Sequence, residues 1–120
     1  MWFLKCNGWF RCRNLAKNGV KLVAESSNLS TTEPAVKILQ DAGITYFPGK
    51  ASNAGGVAVS GLEMIQNEKH EQWDFKTVDT KLQNIMSNIY QNISQTAKEQ
   101  NLINDYPTAA SITALKRLEA

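Results

Sequence analysis

The chain has 120 residues, 42% of them hydrophobic and 20% charged, with a formal net charge of +2. That length allows one small domain, and the balance excludes a disordered tail, a collagen-like repeat and a disulfide scaffold. The charge is too small to argue for nucleic acid, and no apolar run approaches the roughly 20 residues that span a bilayer.

The first thirteen residues stand apart. Trp2, Phe3, Trp9 and Phe10 are interspersed with Lys5, Arg11 and Arg13, without helical periodicity. A signal peptide would need a longer apolar core and a small-residue cleavage site. A basic-aromatic membrane anchor would fit the composition but not the missing periodicity. Residues 1–13 are therefore expected to be a leader outside the fold. Cys6 and Cys12 are not spaced as a C-x-x-C pair and no second pair follows, so no metal ligand is expected. His70 lies in a polar stretch and reads as a solvated surface side chain. Asn28-Leu29-Ser30 and Asn92-Ile93-Ser94 fit the glycosylation triplet, a pattern common by chance.

From Asn14 onward the pattern is regular. Asn18-Gly19 is a turn signal. Val20 to Ala24 is short and apolar and predicts a buried strand. A polar loop, Glu25 to Ser30, follows. Thr31 and Thr32 can cap a helix, and Pro34 suits its first turn, where the N–H has no helical partner. Ala35, Val36, Ile38, Leu39 and Ala42 form its apolar stripe, and Gly43 stops it by taking positive φ. Ile44 to Phe47 is a second strand, closed by Pro48-Gly49.

A helix is then expected from Ala54 to Asn67, Gly-rich at its start. Asp74 caps a longer one, with Trp73 and Val78 placed for a hydrophobic staple. Its stripe is Phe75, Val78, Leu82, Ile85, Met86, Ile89, Ile93 and Ala97, spaced in threes and fours for packing. A last helix is expected over 108–120. Strand, helix, strand in about 30 residues is a βαβ unit with a right-handed crossover. Two strands cannot make a sheet buried on both faces. The fold class is therefore α/β: the trailing βαβ part of a Rossmann-like dinucleotide-binding domain, then three helices, an incomplete fold. The 120 residues hold no G-x-G-x-x-G phosphate loop.

Pro48-Gly49-Lys50-Ala51-Ser52-Asn53-Ala54-Gly55-Gly56-Val57-Ala58-Val59-Ser60-Gly61-Leu62-Glu63-Met64 resembles the P-x-K-A-x-N-A-G-G-V-x-x-S-x-L-E-M signature of the hexameric glutamate dehydrogenases. The flanks agree in order. Asn18 to Glu25 resembles the family's N-G-V-K-x-V-A-E strand, and Asn28 with Thr31-Thr32 resembles the loop after it. Trp73, Val78-Asp79, Leu82 and Ile85-Met86 resemble the following helix. The resemblance runs from about Leu15 to Ala120. It implies that residues 14–50 end the dinucleotide-binding domain and that 51–120 return toward the substrate domain.

The activity implied is reversible oxidative deamination of glutamate to 2-oxoglutarate and ammonia, with NADP (or NAD) as cofactor of the intact enzyme. A cytoplasmic homohexamer is implied, with no membrane or nucleic-acid partner. By resemblance, Asn28, Asn53, Gly55 and Gly56 line the cofactor side of the cleft. Side-chain amides both donate and accept, and glycines let backbone approach a ligand. Val57 would meet the substrate's aliphatic part, and Ser60 its distal carboxylate. That serine resembles the glutamate form rather than the leucine, phenylalanine or valine dehydrogenases. The family's catalytic lysines and aspartate precede this segment, so no catalytic residue is assigned and no tight cofactor binding is expected of the chain alone.

Three departures stand out. Ser26-Ser27 replace a Gly-Ala before Asn28, Ser30 replaces a proline, and Ala110 to Leu115 lack the Asn and Phe of A-N-I-A-x-F. A serine in place of glycine can block close approach or force an unfavourable dihedral. The reading is an inactive enzyme fragment; the alternatives are a non-catalytic helical interaction module and the product of a broken gene.

Overall fold

The computed structural model describes residues 9–119, with side chains from Cys12 onward. The elements run α1 (Trp9–Lys17), β1 (Leu22–Ala24), α2 (Glu33–Asp41), β2 (Thr45–Phe47), α3 (Gly49–Ser52), α4 (Ala54–Glu68), α5 (Phe75–Glu99) and α6 (Tyr106–Leu118). The described residues are mostly helical. β1 and β2 pair in parallel, with Leu22 opposite Thr45, Val23 opposite Tyr46 and Ala24 opposite Phe47. This is the expected crossover unit, and Gly43 ends α2 at φ +72.

Two cores form. The first gathers Cys12, Ala35, Leu39, Ile44 and Tyr46, with Leu15, Val20, Val23 and Val36 packed around them. The second gathers Ala51, Ile93, Ala109 and Ala110 beneath Phe47, Ile89 and Tyr106. Strand β2 joins them because successive side chains leave a strand on opposite faces. Tyr46 enters the first core and Phe47 the second, where its ring meets Tyr106 at 5.3 Å and Tyr90 at 5.9 Å. A polar seam reinforces the joint. Gln40 Nε2 donates to Asn104 O at 3.4 Å and Asp105 Oδ1 at 3.3 Å, and Asn104 Nδ2 donates to Ile44 O at 3.2 Å.

Four expectations need correction. The boundary at residue 13 is crossed by α1, and Cys12 is fully buried against α2 and β2. Helical spacing brings Cys12, Leu15 and Ala16 onto one face, a pattern hidden by the aromatic residues before it. Strand β1 is not buried: Leu22 is 59% exposed and Ala24 is exposed, because α1 and α2 cover one side only. The Pro48-Gly49 closure is the start of a one-turn helix, α3, and Asn53 both ends α3 and caps α4. Helix α6 starts at Tyr106, two residues early, with Pro107 in its first turn and Asp105 accepting from Thr108 N at 3.3 Å.

Helix α5 is capped as expected, Asp74 Oδ1 accepting from Thr77 N at 2.8 Å. Trp73 and Val78 are half-buried, and the Lys81 ammonium sits 4.8 Å from the Trp73 ring centroid. The α5 stripe is deeply buried only at Ile93, while Phe75 is 86% exposed. Among the described residues no helix is long and apolar enough to cross a membrane, and no group of three metal-ligating side chains forms.

Candidate functional site

The expected site residues lie where the two strands end. β1 runs into Glu25 and the loop to Thr31; β2 runs into Pro48 and α3. In open parallel sheets, ligands bind outside the carboxyl ends of the strands. An open cleft of about 650 Å³ lies there, lined by Asn28, Tyr46, Gly49, Lys50, Asp105 and Thr108 among others.

The structure brings Asn28 and Asn53 together: Asn53 Nδ2 donates to Asn28 Oδ1 at 2.8 Å across 25 residues of sequence. Each amide keeps further capacity, so the pair still offers a donor at Asn28 Nδ2 and an acceptor at Asn53 Oδ1. Gly55, Gly56, Val57 and Ser60 follow on the first two turns of α4. Gly55 faces α5, where an added Cβ would make ordinary contact, 3.6 Å, with Leu82 and Met86. Gly56 faces open space, and a Cβ added there would meet nothing within 4 Å. Val57 and Ser60 are exposed, and Ser60 Oγ donates to Gly56 O at 3.2 Å, the back-bond of a helical serine. Residues 53, 56, 57 and 60 recur at helical spacing and share one open face.

The residue that sequence reasoning missed is Glu25. Its place at the head of a polar loop suggests a solvated side chain, yet only 7% of it is exposed. Oε1 accepts from Ser30 Oγ at 2.5 Å and from Thr31 N at 2.6 Å. Oε2 accepts from Tyr46 OH at 2.6 Å and from Gly49 N at 3.1 Å. Burial alone would raise the carboxyl's pKa; the four hydrogen bonds outweigh it and hold it below the ordinary 4.5. Burial and the Glu25 hydrogen bond push the Tyr46 phenol far above its ordinary 10. No local signal marks Glu25; only the strand register does, since with Ala24 opposite Phe47 the Glu25 side chain shares the face of Tyr46. Two further contacts were also missed. Lys50 Nζ donates to Ser111 Oγ at 2.6 Å, and Thr113 Oγ1 donates to Thr96 Oγ1 at 2.9 Å. Ser111 stands where the resembling motif has asparagine, and it keeps a polar partner for Lys50.

Ser26 and Ser27 take no positive φ; the left-handed residue of this loop is Leu29, at φ 53 and 92% exposed. The dihedral expected to suffer from the serine is relaxed, and the unusual backbone sits further along the loop.

Comparison with known proteins gives the same direction. The family model for Glutamate/Leucine/Phenylalanine/Valine dehydrogenase matches residues 10–120. The NADP-specific glutamate dehydrogenase of Helicobacter pylori is 44% identical over 106 residues, 88% of this chain and 24% of that protein. That of Escherichia coli is 51% identical over 76 residues, 63% of this chain and 17% of that protein. The solved structure of Plasmodium falciparum glutamate dehydrogenase 2 superposes with a TM-score of 0.88 at 36% identity, covering 94% of this chain and 25% of that one. The chain thus spans about a quarter of the length of the relatives it matches.

Proposed function

Because this chain belongs to the Glutamate/Leucine/Phenylalanine/Valine dehydrogenase family, we propose that it forms one wall of the active-site cleft of a glutamate dehydrogenase, and that by itself it is inactive. The observation that carries this reading is the Asn28–Asn53 amide pair at the carboxyl ends of the strands, with Val57 and Ser60 on the open face of the next helix. The pair's remaining donor and acceptor match a carboxamide or a ribose hydroxyl, the groups at the nicotinamide end of NADP or NAD. Several similar proteins are NADP-specific glutamate dehydrogenases, which favours NADP. Gly56 leaves room beside the helix for a ligand.

When bound, the dinucleotide would supply the acceptor for hydride in the oxidation of glutamate to 2-oxoglutarate and ammonia, and Asn28 and Asn53 would hold its nicotinamide end. This segment contributes binding and orientation. The Ser60 hydroxyl turns from Gly56 O toward the distal carboxylate, and Val57 covers the aliphatic carbons. Proton transfer and amine activation belong to side chains outside these residues, since no lysine here matches the family's catalytic motif. Assembly as a cytoplasmic homohexamer is part of the same proposal. A second reading, a helical interaction module, draws on the exposed Val57, Met64 and Phe75.

The test is Ser60→Ala in a full-length dehydrogenase carrying this segment. A hydrogen bond to a charged group is worth about 1.5–3 kcal/mol, so kcat/KM for glutamate should fall about 10–100-fold. Norvaline, which has no distal carboxylate, should lose far less. Equal losses would remove Ser60 from substrate recognition. Glutamate-dependent NADPH formation by the purified 120-residue chain would refute inactivity alone.

A further inference from the structure

The Asn28–Asn53 pair is made by two segments that no regular element connects directly. Asn28 sits in the loop after β1, and Asn53 sits between α3 and α4. What holds these segments at one spacing is Glu25. Its first carboxylate oxygen takes the far end of the Asn28 loop, at Ser30 Oγ and Thr31 N. Its second takes β2 and the start of α3, at Tyr46 OH and Gly49 N. Ser52 Oγ, next to Asn53, donates to the Glu25 carbonyl. Gly49 passes so close to the loop that an added Cβ would collide with Ser27 O.

A carboxylate is an unusual choice for this position if filling space were the only need. Burying it disfavours the charged form, and an apolar side chain would pack without that cost. Only an ionised carboxylate accepts four donors from two directions. A glutamine would keep one acceptor oxygen and turn an NH₂ group against a backbone N–H, Thr31 or Gly49, that can only donate. The carboxylate's property is therefore directional: it fixes where the loop and the α3 turn stand relative to each other.

We propose that Glu25 is a positioning residue, whose single carboxylate clamps the post-β1 loop to the β2–α3 turn and thereby sets the Asn28–Asn53 pair toward the dinucleotide. The last step rests on the cofactor reading above; the clamp does not. Tyr46 and Ser30 are its side-chain donors, and Gly49 is required for the close approach.

The experiment is side-chain amide NMR on the ¹⁵N-labelled 120-residue chain, without cofactor and at concentrations below the onset of self-association. Wild type should show an Asn28–Asn53 amide contact and slowed exchange of the Asn53 Nδ2 protons. Glu25→Gln should remove the contact and speed that exchange about tenfold, while losing one donor in Tyr46→Phe or Ser30→Ala should speed it about threefold. Ser30→Thr keeps the hydroxyl and should behave as wild type, a rescue that loss of packing alone would not give. Signals of Ile93, Ala109 and Ala110 report whether the second core is intact in each variant. A wild-type pair in Glu25→Gln overturns the clamp. If Glu25→Gln does not fold, wild-type pairs in both Tyr46→Phe and Ser30→Ala overturn it. The cofactor step is read separately, by Asn28→Ala in the full-length enzyme. An unchanged KM for NADP there would overturn the dinucleotide assignment and leave the clamp standing.

Discussion

At the scale of single residues, two glycines that look alike in sequence behave differently. Gly49 is needed by the fold, since a Cβ would strike the Ser27 carbonyl and lie 3.0 Å from Glu25 Oε2. Gly49→Ala should cost about 1–3 kcal/mol, as overpacking does, seen as faster backbone exchange in β2 and the loop to Thr31. Gly56 has open space around it. Gly56→Ala should stabilise α4 by roughly 0.5–1 kcal/mol by lowering the entropy lost in the helix, seen as slower exchange there. In a full-length enzyme the same change should reduce kcat/KM roughly 10–100-fold by displacing the ligand. A stabilised and fully active variant would end the functional reading of Gly56. Glu25 adds a pH signature. Its folded pKa is lowered from 4.5, so its contribution to stability is fully present above that value. It is lost as pH falls through the lower folded value. The urea midpoint followed at the Tyr46 ring should drop in acid in wild type and respond less in Glu25→Gln. Tyr46 has the opposite sign: its raised pKa keeps the phenol a donor, and its contribution fades only as pH climbs above 10.

At the scale of elements, the ends are set locally and the buried faces are not. Asp74 caps α5 through Thr77 N, and the Thr77 side chain first, then that backbone N–H, hold its carboxyl below the ordinary value. Asp74→Ala should fray the first turn of α5, while Asp74→Asn, an equally good cap, should preserve it. Exchange at residues 75–78 checks this, and equal fraying in both variants would mean the charge rather than the cap matters. The other end of α5 is tied across to α6 by Lys116 Nζ to Glu99 Oε2, 2.8 Å. The apolar stripe of α5 was legible from its spacing, but its burial was not. Its C-terminal part packs with α6 and α3 at Ile89, Ile93 and Ala97, while Leu82 and Met86 lie beside Gly55 of α4. Strand β1 shows the same gap, with Leu22 and Ala24 exposed where a neighbouring layer would lie.

The whole molecule is spread out. Its radius of gyration is 16.6 Å and its extents are 51 × 37 × 20 Å, against about 13.6 Å expected for a compact 120-residue domain. Two small cores joined through β2 leave Leu22, Val57, Met64 and Phe75 in water. Exposed apolar patches of this kind promote association. The purified chain should be helical by circular dichroism, bind an apolar dye and grow in size with concentration by light scattering. It should melt without a sharp transition, because neither core is large. A monomer at all concentrations with one cooperative transition would show an autonomous domain and favour the interaction-module reading.

What the residues determined by themselves is local. The turn at Gly43, the cap at Asp74, the parallel βαβ order and the helix periods all follow from steric and hydrogen-bonding preferences that act within a few positions. The candidate site residues from Asn53 to Ser60 could be proposed because the motif from Pro48 to Met64 is contiguous, and a contiguous motif carries its spacing with it; Asn28 came from the flanking loop. What the tertiary structure decided is which distant groups meet. Nothing in the local pattern around Cys12 placed it in a core with Ile44, and nothing in a polar loop marked Glu25 as buried. Nor did the chain announce that Asn28 and Asn53, 25 residues apart, would share a hydrogen bond. Those pairings depend on strand register and on the close passage of Gly49 past Ser27, and both exist only once β1 and β2 lie side by side.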